Sequence, residues 1–344
     1  MYISSAAGIS PQVSFEQLLK LPASYSGNRL TCAEPDYAKV IDPRMIRRMS
    51  RIIKMGVAAA KDCLQQAHVE MPGAIITGTA YGCLADTELF LSKMVENKEE
   101  LLTPTSFIQS THNTVGAQIA LMLKCHNYNN TFVHRGFSFE SAMLDAISLL
   151  QENIADNILV GGVDEITNTS HTLLSRFGLY KQNIDSNLNL YSQSSKGTIA
   201  GEGSAFFLLS GTPTGNDYAK LEGMDTSYKP LPGEVVDFIH DFLGRHSLEV
   251  ADIDLLITGE NGDASGDKIY NEIKSVFPAG VAAEQFKHLC GEYPTATSFA
   301  LWLAANSIKT GATPGHTGMK APKKVLIFNH YLNIHYSLYL LSAC

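Results

Sequence analysis

The sequence predicts an α/β protein built from two successive halves, and three observations favour this fold class. Short apolar, β-branched runs alternate with stretches of helical periodicity through most of the 344 residues. A polar, turn-rich link at 212–217 interrupts this alternation, which then begins again. Hydrophobic residues make up 45% and charged residues 17%, which is typical of a protein with a large core. We therefore predict domains at residues 1–213 and 218–344, and a mostly parallel sheet covered by helices on both faces.

Each element follows from its local pattern. In the first half, buried runs predict strands at 74–78, 130–134, 157–165 and 201–210, and helical spacing predicts helices at 45–66, 115–124 and 141–153. In the second half, the same two patterns predict strands at 219–223, 252–259 and 325–329, with helices at 232–246, 266–276 and 296–309. The repeated alternation of strand and helix is what predicts crossover connections.

Bulk properties exclude several function classes. A net charge of −8 and a pI near 5.8 argue against a nucleic-acid-binding protein. No apolar run approaches the ~18 residues that a membrane span needs, and the first residues lack the basic start of a signal peptide. We therefore expect a cytoplasmic protein without a membrane span. The 6 cysteines show no C-x-x-C spacing, so we expect neither a metal site nor a disulfide framework.

An ordered series of motifs resembles the elongating β-ketoacyl-ACP synthases. RRMSRIIKMGVAAAKDCLQQA resembles their R-R-M-x-R helix, and AIITGTAYGCLADTELF resembles their strand and glycine loop. TPTSFIQSTHNTVGAQIALMLK is similar to the stretch that leads to their nucleophile, and ILVGGVDE and GEGSAFFLLS to the strands that follow. The resemblance covers about 30–210 well. It is weaker afterwards, although DIDLLITGENGD, FKHLCGEYPTATSFALW and KVLIFNHYLN keep the expected order.

This resemblance implies a thiolase-like fold, in which two similar halves form a five-layer α-β-α-β-α stack. It also implies a dimer, with association through 115–134, and decarboxylative Claisen condensation of acyl groups. No bound cofactor is implied, because the acyl groups are presented on the phosphopantetheine of an acyl carrier protein. The reaction needs a thiolate at a helix N-terminus, two imidazoles that stabilise an enolate, and an oxyanion hole.

The sequence departs from the family at the places where this chemistry belongs. The resemblance places Gly136 at the position of the nucleophilic cysteine. It places Glu260 or Asn261 at the position of the first histidine and Glu292 at that of the second. Where the family has a glycine-rich turn, this sequence has Tyr331-Leu332-Asn333-Ile334. Glycine has no nucleophile, and a carboxylate cannot donate to an enolate oxygen at neutral pH unless its pKa is strongly raised. Together the four departures argue against condensation.

Other residues are candidates for binding or a substitute chemistry. Ser138 or Ser141 could take an acyl group if a base stood nearby. The residues that the resemblance assigns to a substrate pocket are His112, Asn113, Arg135, Phe137, Phe139 and Tyr331, for each of which a structural role is the alternative. Arg47, Arg48 and Arg51 form either a docking patch for the acidic helix of a carrier protein or a solvated face.

Three functions remain open from the sequence. The first is a non-condensing, chain-length-factor-like partner of a cysteine-bearing ketosynthase in fatty acid, polyketide or polyene biosynthesis. The second is an acyltransferase or decarboxylase that acts on acyl- or malonyl-carrier thioesters with a non-standard nucleophile, Ser138 or Ser141. The third is a binding protein that holds an acyl group or a carrier without chemistry. The partner is an acyl carrier protein in the first two, and the chain itself forms a homodimer or a heterodimer.

Overall fold

The computed structural model describes residues 1–231, 233–315 and 320–344. Its strands are β1 (Tyr2–Ile9), β2 (Ala74–Gly78), β3 (Tyr128–Phe132), β4 (Asn157–Asp164), β5 (Gly203–Ser210), β6 (Ala219–Tyr228), β7 (Leu255–Thr258), β8 (Ala282–Gln285), β9 (Lys324–Tyr331) and β10 (His335–Ser342). Its α-helices are α1 (Phe15–Lys20), α2 (Pro43–Ile46), α3 (Arg51–Gln66), α4 (Leu84–Glu96), α5 (Pro104–Gln109), α6 (Thr114–Leu123), α7 (Ser138–Gln151), α8 (Asn168–Arg176), α9 (Glu234–Arg245), α10 (Lys268–Val276), α11 (Lys287–Cys290) and α12 (Thr297–Thr310).

The strands form two repeats of one topology. The strand order is β3-β2-β4-β5-β1 followed by β6-β10-β9-β7-β8. Read from its β3 edge, the first repeat is β3-β2-β4-β5-β1, and read from its β8 edge, the second is β8-β7-β9-β10-β6. Each strand number of the second repeat is five higher than its counterpart, so the two repeats have the same topology. Two residue pairs, Tyr2 with Lys220 and Ile3 with Ala219, join the repeats through β1 and β6.

Three apolar cores pack the five layers of helices and strands together. One core packs α3 and α6 against the outer face of the first repeat. A second core lies between the two repeats and contains α7 and α12, and a third packs α9 and α10 on the outer face of the second repeat. Helix α12 is buried on nearly all sides because it contacts strands of both repeats. The structure thus has the five-layer α-β-α-β-α stack of a thiolase-like fold.

The prediction of a mostly parallel sheet is wrong. Four strand pairs are parallel, and five are antiparallel. Strand β10 follows β9 after a turn at 332–334, which is too short for a parallel crossover. Strand β5 likewise runs opposite to both of its neighbours, β4 and β1. The sequence argument extended the crossover pattern to strands that do not follow it.

Most predicted elements exist with shifted bounds, and one predicted helix is broken. The helix expected at 45–66 is two helices, α2 and α3, because the chain between them is extended at Ser50. Met49 in this break is buried in the core under α3. Strands β1, β8 and β10 were not predicted. The expected start of α9, Pro232, lies outside the described residues, and the domain bounds at 213 and 218 stay a prediction.

Candidate active site

A cavity of about 430 Å³ lies at the ends of strands from both repeats. Its mouth is apolar, because Leu173 and Phe177 on and after α8 line it and are 48% and 73% exposed. Its interior is polar and buried, with Asp164 at the end of β4 and Glu292 before α12. The cavity therefore combines an apolar entrance with a floor of ionisable groups, which is a common form of ligand site.

The turn between β3 and α7 contains Gly136. Arg135, at a φ of 50°, turns the chain into the helix. A Cβ atom built on Gly136 would lie 2.7 Å from Tyr331 Cβ and 3.0 Å from His335 Cγ. Contacts this short do not occur between real atoms without movement of one partner. Side chains of the β9–β10 hairpin therefore occupy the space that a side chain at position 136 would need.

The two serines after Gly136 differ in their surroundings. The hydroxyl of Ser138 is fully buried, accepts from the His134 backbone N–H at 2.8 Å and donates to the Arg135 carbonyl at 2.8 Å. Ser138 therefore closes the turn. The Oγ of Ser141 lies 3.3 Å from Nδ1 of His134, on the surface of the chain. Of the two serines, Ser141 is thus the one with an imidazole in reach.

An ion pair occupies the floor of the cavity. The Nζ of buried Lys287 lies 2.9 and 2.7 Å from the two carboxylate oxygens of Glu292, and 2.9 Å from the carbonyl of His330. The side-chain amide of Asn261 donates to Glu292 Oε2 at 2.7 Å. Glu260, the other candidate at the first histidine position, accepts from Lys274 and Gln285 instead. The structure thus brings Asn261 and Glu292 together at the cavity.

His330 also lines the cavity, and the sequence reasoning missed it. Burial and the nearby Lys287 ammonium lower the pKa of His330 to about 3, so the ring is neutral at pH 7. Its Nε2 lies 3.3 Å from the Gly266 carbonyl, and its Nδ1 accepts from the Asn333 backbone at 3.4 Å. The only available signal was its place at the end of the apolar run VLIFN.

Asp164 and Asp263 are two further acidic residues that the sequence reasoning missed. Asp164 accepts from the hydroxyls of Thr79 and Thr295 and from backbone N–H groups, so it ties β4 to the loops around the cavity. Hydrogen bonds from Ser265 and from backbone groups, Gly197 among them, lower the pKa of Asp263 to about 2. Asp263 is therefore ionised at neutral pH.

The predicted pocket residues are scattered. Tyr331 lines the cavity. Phe139 is fully buried in the core between the repeats, and Phe137 packs edge-on against His335 with 4.7 Å between ring centres. Among the residues that the structure describes around the cavity, His112, Asn113 and Arg135 do not appear; all three side chains are exposed elsewhere.

The three predicted docking arginines do not form one free patch. The guanidinium of Arg51 binds both carboxylate oxygens of buried Glu202, at 2.6 and 2.5 Å, and also contacts Glu34. This geometry ties α3 to β5 and the loop before it. Arg47 and Arg48, in the break between α2 and α3, are exposed. A docking role therefore concerns Arg47 and Arg48.

Comparison with known proteins identifies the N-terminal half. The family model described as "Beta-ketoacyl synthase, N-terminal domain" matches residues 26–176. The matched segment is thus similar to the N-terminal domain of β-ketoacyl synthases. A search of curated proteins finds no match to the chain. Within the described residues, no helix is long and apolar enough to cross a membrane.

Solved structures show the same fold at low identity. "The ishigamide ketosynthase/chain length factor" has a TM-score of 0.81 and 16% identity, over 100% of this chain and 98% of that one. A β-ketoacyl synthase from Burkholderia phymatum STM815 has a TM-score of 0.79 and 14% identity, over 100% and 99%. "Ketosynthase (ApeO) in Complex with its Chain Length Factor (ApeC) from Xenorhabdus doucetiae" has a TM-score of 0.75 and 15% identity, over 100% and 98%. The predicted fold is confirmed.

Proposed function

We propose that this chain is a non-condensing, chain-length-factor-like partner of a cysteine-bearing ketosynthase in fatty acid, polyketide or polyene biosynthesis. The observation that carries the proposal is the crowding at Gly136, where a Cβ would lie 2.7 Å from Tyr331. A lost nucleophile could be restored by one substitution if its space were open, but here neighbouring side chains fill that space. The chain would act in the cytoplasm on acyl groups carried by the phosphopantetheine of an acyl carrier protein.

The floor of the cavity supports the same proposal. Condensation needs donors aimed at a developing enolate oxygen. Lys287 donates its three N–H groups to Glu292 and to the His330 carbonyl, and Asn261 donates to Glu292. A malonyl carboxylate at this floor would face Glu292 rather than two imidazoles. Two of the similar structures are described as containing a chain length factor, which agrees with a partner role.

The edge of the first repeat is a suitable pairing surface. Strand β3 ends the strand order, and within the described residues it pairs with β2 alone. An unpaired strand edge can accept a strand from a second chain. Large apolar side chains surround this edge: Leu121 on α6 is 63% exposed, Val133 after β3 is 48% exposed and Leu144 on α7 is 44% exposed. Such a patch beside an open edge favours association through the 115–134 region.

Co-expression tests the pairing. The chain would be produced with a panel of cysteine-bearing ketosynthases and the purified species weighed by light scattering. We expect a heterodimer with at least one of them, and we expect Leu121→Asp to abolish it. Leu231→Asp is the matched control, because Leu231 is 64% exposed but lies outside this region. A wild-type chain that forms a heterodimer with none of the ketosynthases, or a Leu121→Asp variant that pairs as well as Leu231→Asp, would contradict the proposal.

Carrier docking is the second part of the proposal. Arg47 and Arg48 are exposed and precede α3, so they can meet the acidic helix of a carrier protein. We expect Arg47→Glu/Arg48→Glu to weaken binding of an acyl carrier protein at least tenfold in a titration of the heterodimer. Lys93→Glu/Lys98→Glu, at the end of α4, reverses the same charge elsewhere. Unchanged affinity in the Arg47/Arg48 variant would remove this docking site.

One observation favours the alternative of acyl transfer: the 3.3 Å contact between Ser141 Oγ and His134 Nδ1. Its test is the intact mass of the chain after incubation with malonyl- and long-chain acyl-carrier donors. An adduct mapped to Ser141, and absent from Ser141→Ala, would establish the transferase. The partner role instead predicts an unmodified chain and intact donors.

A further inference from the structure

The cavity has an excess of hydrogen-bond acceptors over free donors. Lys287 and Asn261 donate to Glu292, and the Nε2 of His330 faces the Gly266 carbonyl. The carboxylate oxygens, by contrast, can accept further hydrogen bonds. Glu292 Oε1 receives one hydrogen bond, and Glu165 receives one from the Ala85 backbone. A ligand that brings its own N–H groups therefore finds partners here, whereas a carboxylate does not.

The distribution of charge points in the same direction. Asp263 lines the cavity; partial burial raises the pKa of its carboxyl, but hydrogen bonds from Ser265 and backbone N–H groups lower it to about 2, so Asp263 is ionised at pH 7. Glu292 also lines the cavity, and its Oε2 lies 2.7 Å from the Nζ of Lys287. The lysine that lines the cavity, Lys196, is exposed and lies beside Gly178, near the mouth rather than the floor. The interior is thus a poor place for an anion and a favourable one for a cation.

Aromatic rings and an unused hydroxyl complete the site. Tyr81, Tyr180 and Tyr331 line the cavity, and aromatic faces attract ammonium groups by cation–π interaction. Thr198 also lines it, is 5% exposed, and its hydroxyl has no hydrogen-bond partner among the described residues. An unpartnered buried hydroxyl is costly unless a ligand or water meets it. These features are independent of the carboxylates.

We propose that the cavity binds an amphiphile with an ammonium end, whose apolar body lies against Leu173 and Phe177 at the mouth, and that it excludes carboxylates such as a malonyl group. The proposal rests on the proposed function in one respect, since it takes the cavity as a binding site rather than a condensation site. The ammonium group would lie among Glu292, Asp263 and the tyrosines.

Calorimetric titration of the full chain with octylamine, octanoate and octanol tests the proposal. The three probes share one alkyl chain and differ in the charge and donors of the head. At pH 7.5 we expect octylamine to bind at least tenfold more tightly than octanol, and octanoate to give no measurable binding. Octanoate that binds as tightly as octylamine, or no binding of any probe, would overturn the proposal.

Two variants assign the binding to this cavity. Asp263→Asn should weaken octylamine binding at least fivefold. Asp254→Asn is its matched control, because the Asp254 carboxylate also accepts backbone N–H groups, those of Lys323 and Lys324, but is not among the residues that line the cavity. Tyr180→Leu removes one aromatic face and should weaken octylamine but not octanol, which keeps the test valid if Asp263→Asn does not fold. Equal affinity in all three variants would contradict the proposal.

The two proposals fail separately. Heterodimer formation of the same preparations is measured by light scattering with a cysteine-bearing ketosynthase. Intact pairing without preference for octylamine would contradict the inference about the ligand alone. A preference for octylamine in a chain that pairs with no ketosynthase would contradict the partner role alone.

Discussion

The segment before α7 in the first repeat and the segment before α12 in the second occupy matching places in one topology. Each leads from a parallel strand, β3 or β8, toward a helix of the central layer. The first segment is short and carries Gly136, over which Tyr331 packs. The second is longer, and it carries Lys287 and Glu292 in a closed ion pair. At Gly136, the side chain of Tyr331 fills the space that a reactive side chain would need. At the cavity floor, the charges of Lys287 and Glu292 are bound to each other.

If both places have lost their chemistry, as the proposed function holds, the loss has two physically different causes. Crowding at Gly136 is steric, so its reversal needs more than one substitution. The pair at the cavity floor is electrostatic, and removal of one member leaves a buried charge without compensation. The following predictions test these differences, beginning with the largest expected effect.

Lys287→Met should destabilise the fold by about 3 to 5 kcal/mol, because it leaves buried Glu292 unpaired. The double variant Lys287→Met/Glu292→Gln should recover most of this loss. Urea unfolding measures both. A single variant as stable as the double one would show that the pair contributes nothing to the second repeat.

Glu140, in the first turn of α7, should make stability depend on pH. Burial raises the pKa of Glu140 from 4.5 to about 7, despite the nearby hydroxyls of Thr297 and Ser337. The unfolded chain therefore loses this proton at a lower pH than the folded chain. The contribution of Glu140 to stability is therefore largest below pH 4.5 and falls by about 3 kcal/mol as the pH rises to 7.

Glu140→Gln should remove this fall, which urea unfolding at a series of pH values would detect. Glu96→Gln changes an exposed glutamate of α4 and should leave the pH profile unchanged. Parallel profiles for the wild type and Glu140→Gln would show that Glu140 does not titrate in this range.

Gly136→Cys should cost about 1 to 3 kcal/mol, because the new Cβ meets Tyr331 and His335. Because the nearest atom is the Cβ of Tyr331, which alanine would keep, Tyr331→Gly is the relieving substitution, and Gly136→Cys should cost less in a Tyr331→Gly chain than in the wild-type chain. Neither variant should condense malonyl- and acyl-carrier substrates, since Glu292 and Asn261 remain at the floor. Condensation by the single variant would show that crowding alone had silenced the site.

The sequence predicted the elements whose pattern is local. Strands β2 and β4 are compact apolar runs, and their predicted bounds were close to those observed. Strand β1 was missed because YISSAAGI mixes serine and alanine on buried positions instead of alternating. Strand β10 was missed because HYSLYLLS is buried almost throughout and so lacks the alternation of apolar and polar residues that marks a half-buried strand.

The site was harder to predict because its contacts join distant parts of the chain. The order of motifs led to Gly136 and Glu292, but not to Tyr331 as the group that fills the space at position 136, almost 200 residues away. Likewise the amide of Asn261 meets Glu292 only because β7 brings its loop to the cavity. The roles of these residues stay predictions.

The open edge of β3 also has a consequence for how the chain can be handled. Within the described residues β3 pairs with β2 alone, and such an open edge is a template for pairing with identical copies, so we expect a chain produced without the proposed partner to aggregate. Polar Asn129 and Asn130 on β3 reduce this tendency but do not close the edge. If the proposed pairing holds, the yield of soluble chain should follow the amount of partner made beside it, and the gene dosage of the two would have to be matched.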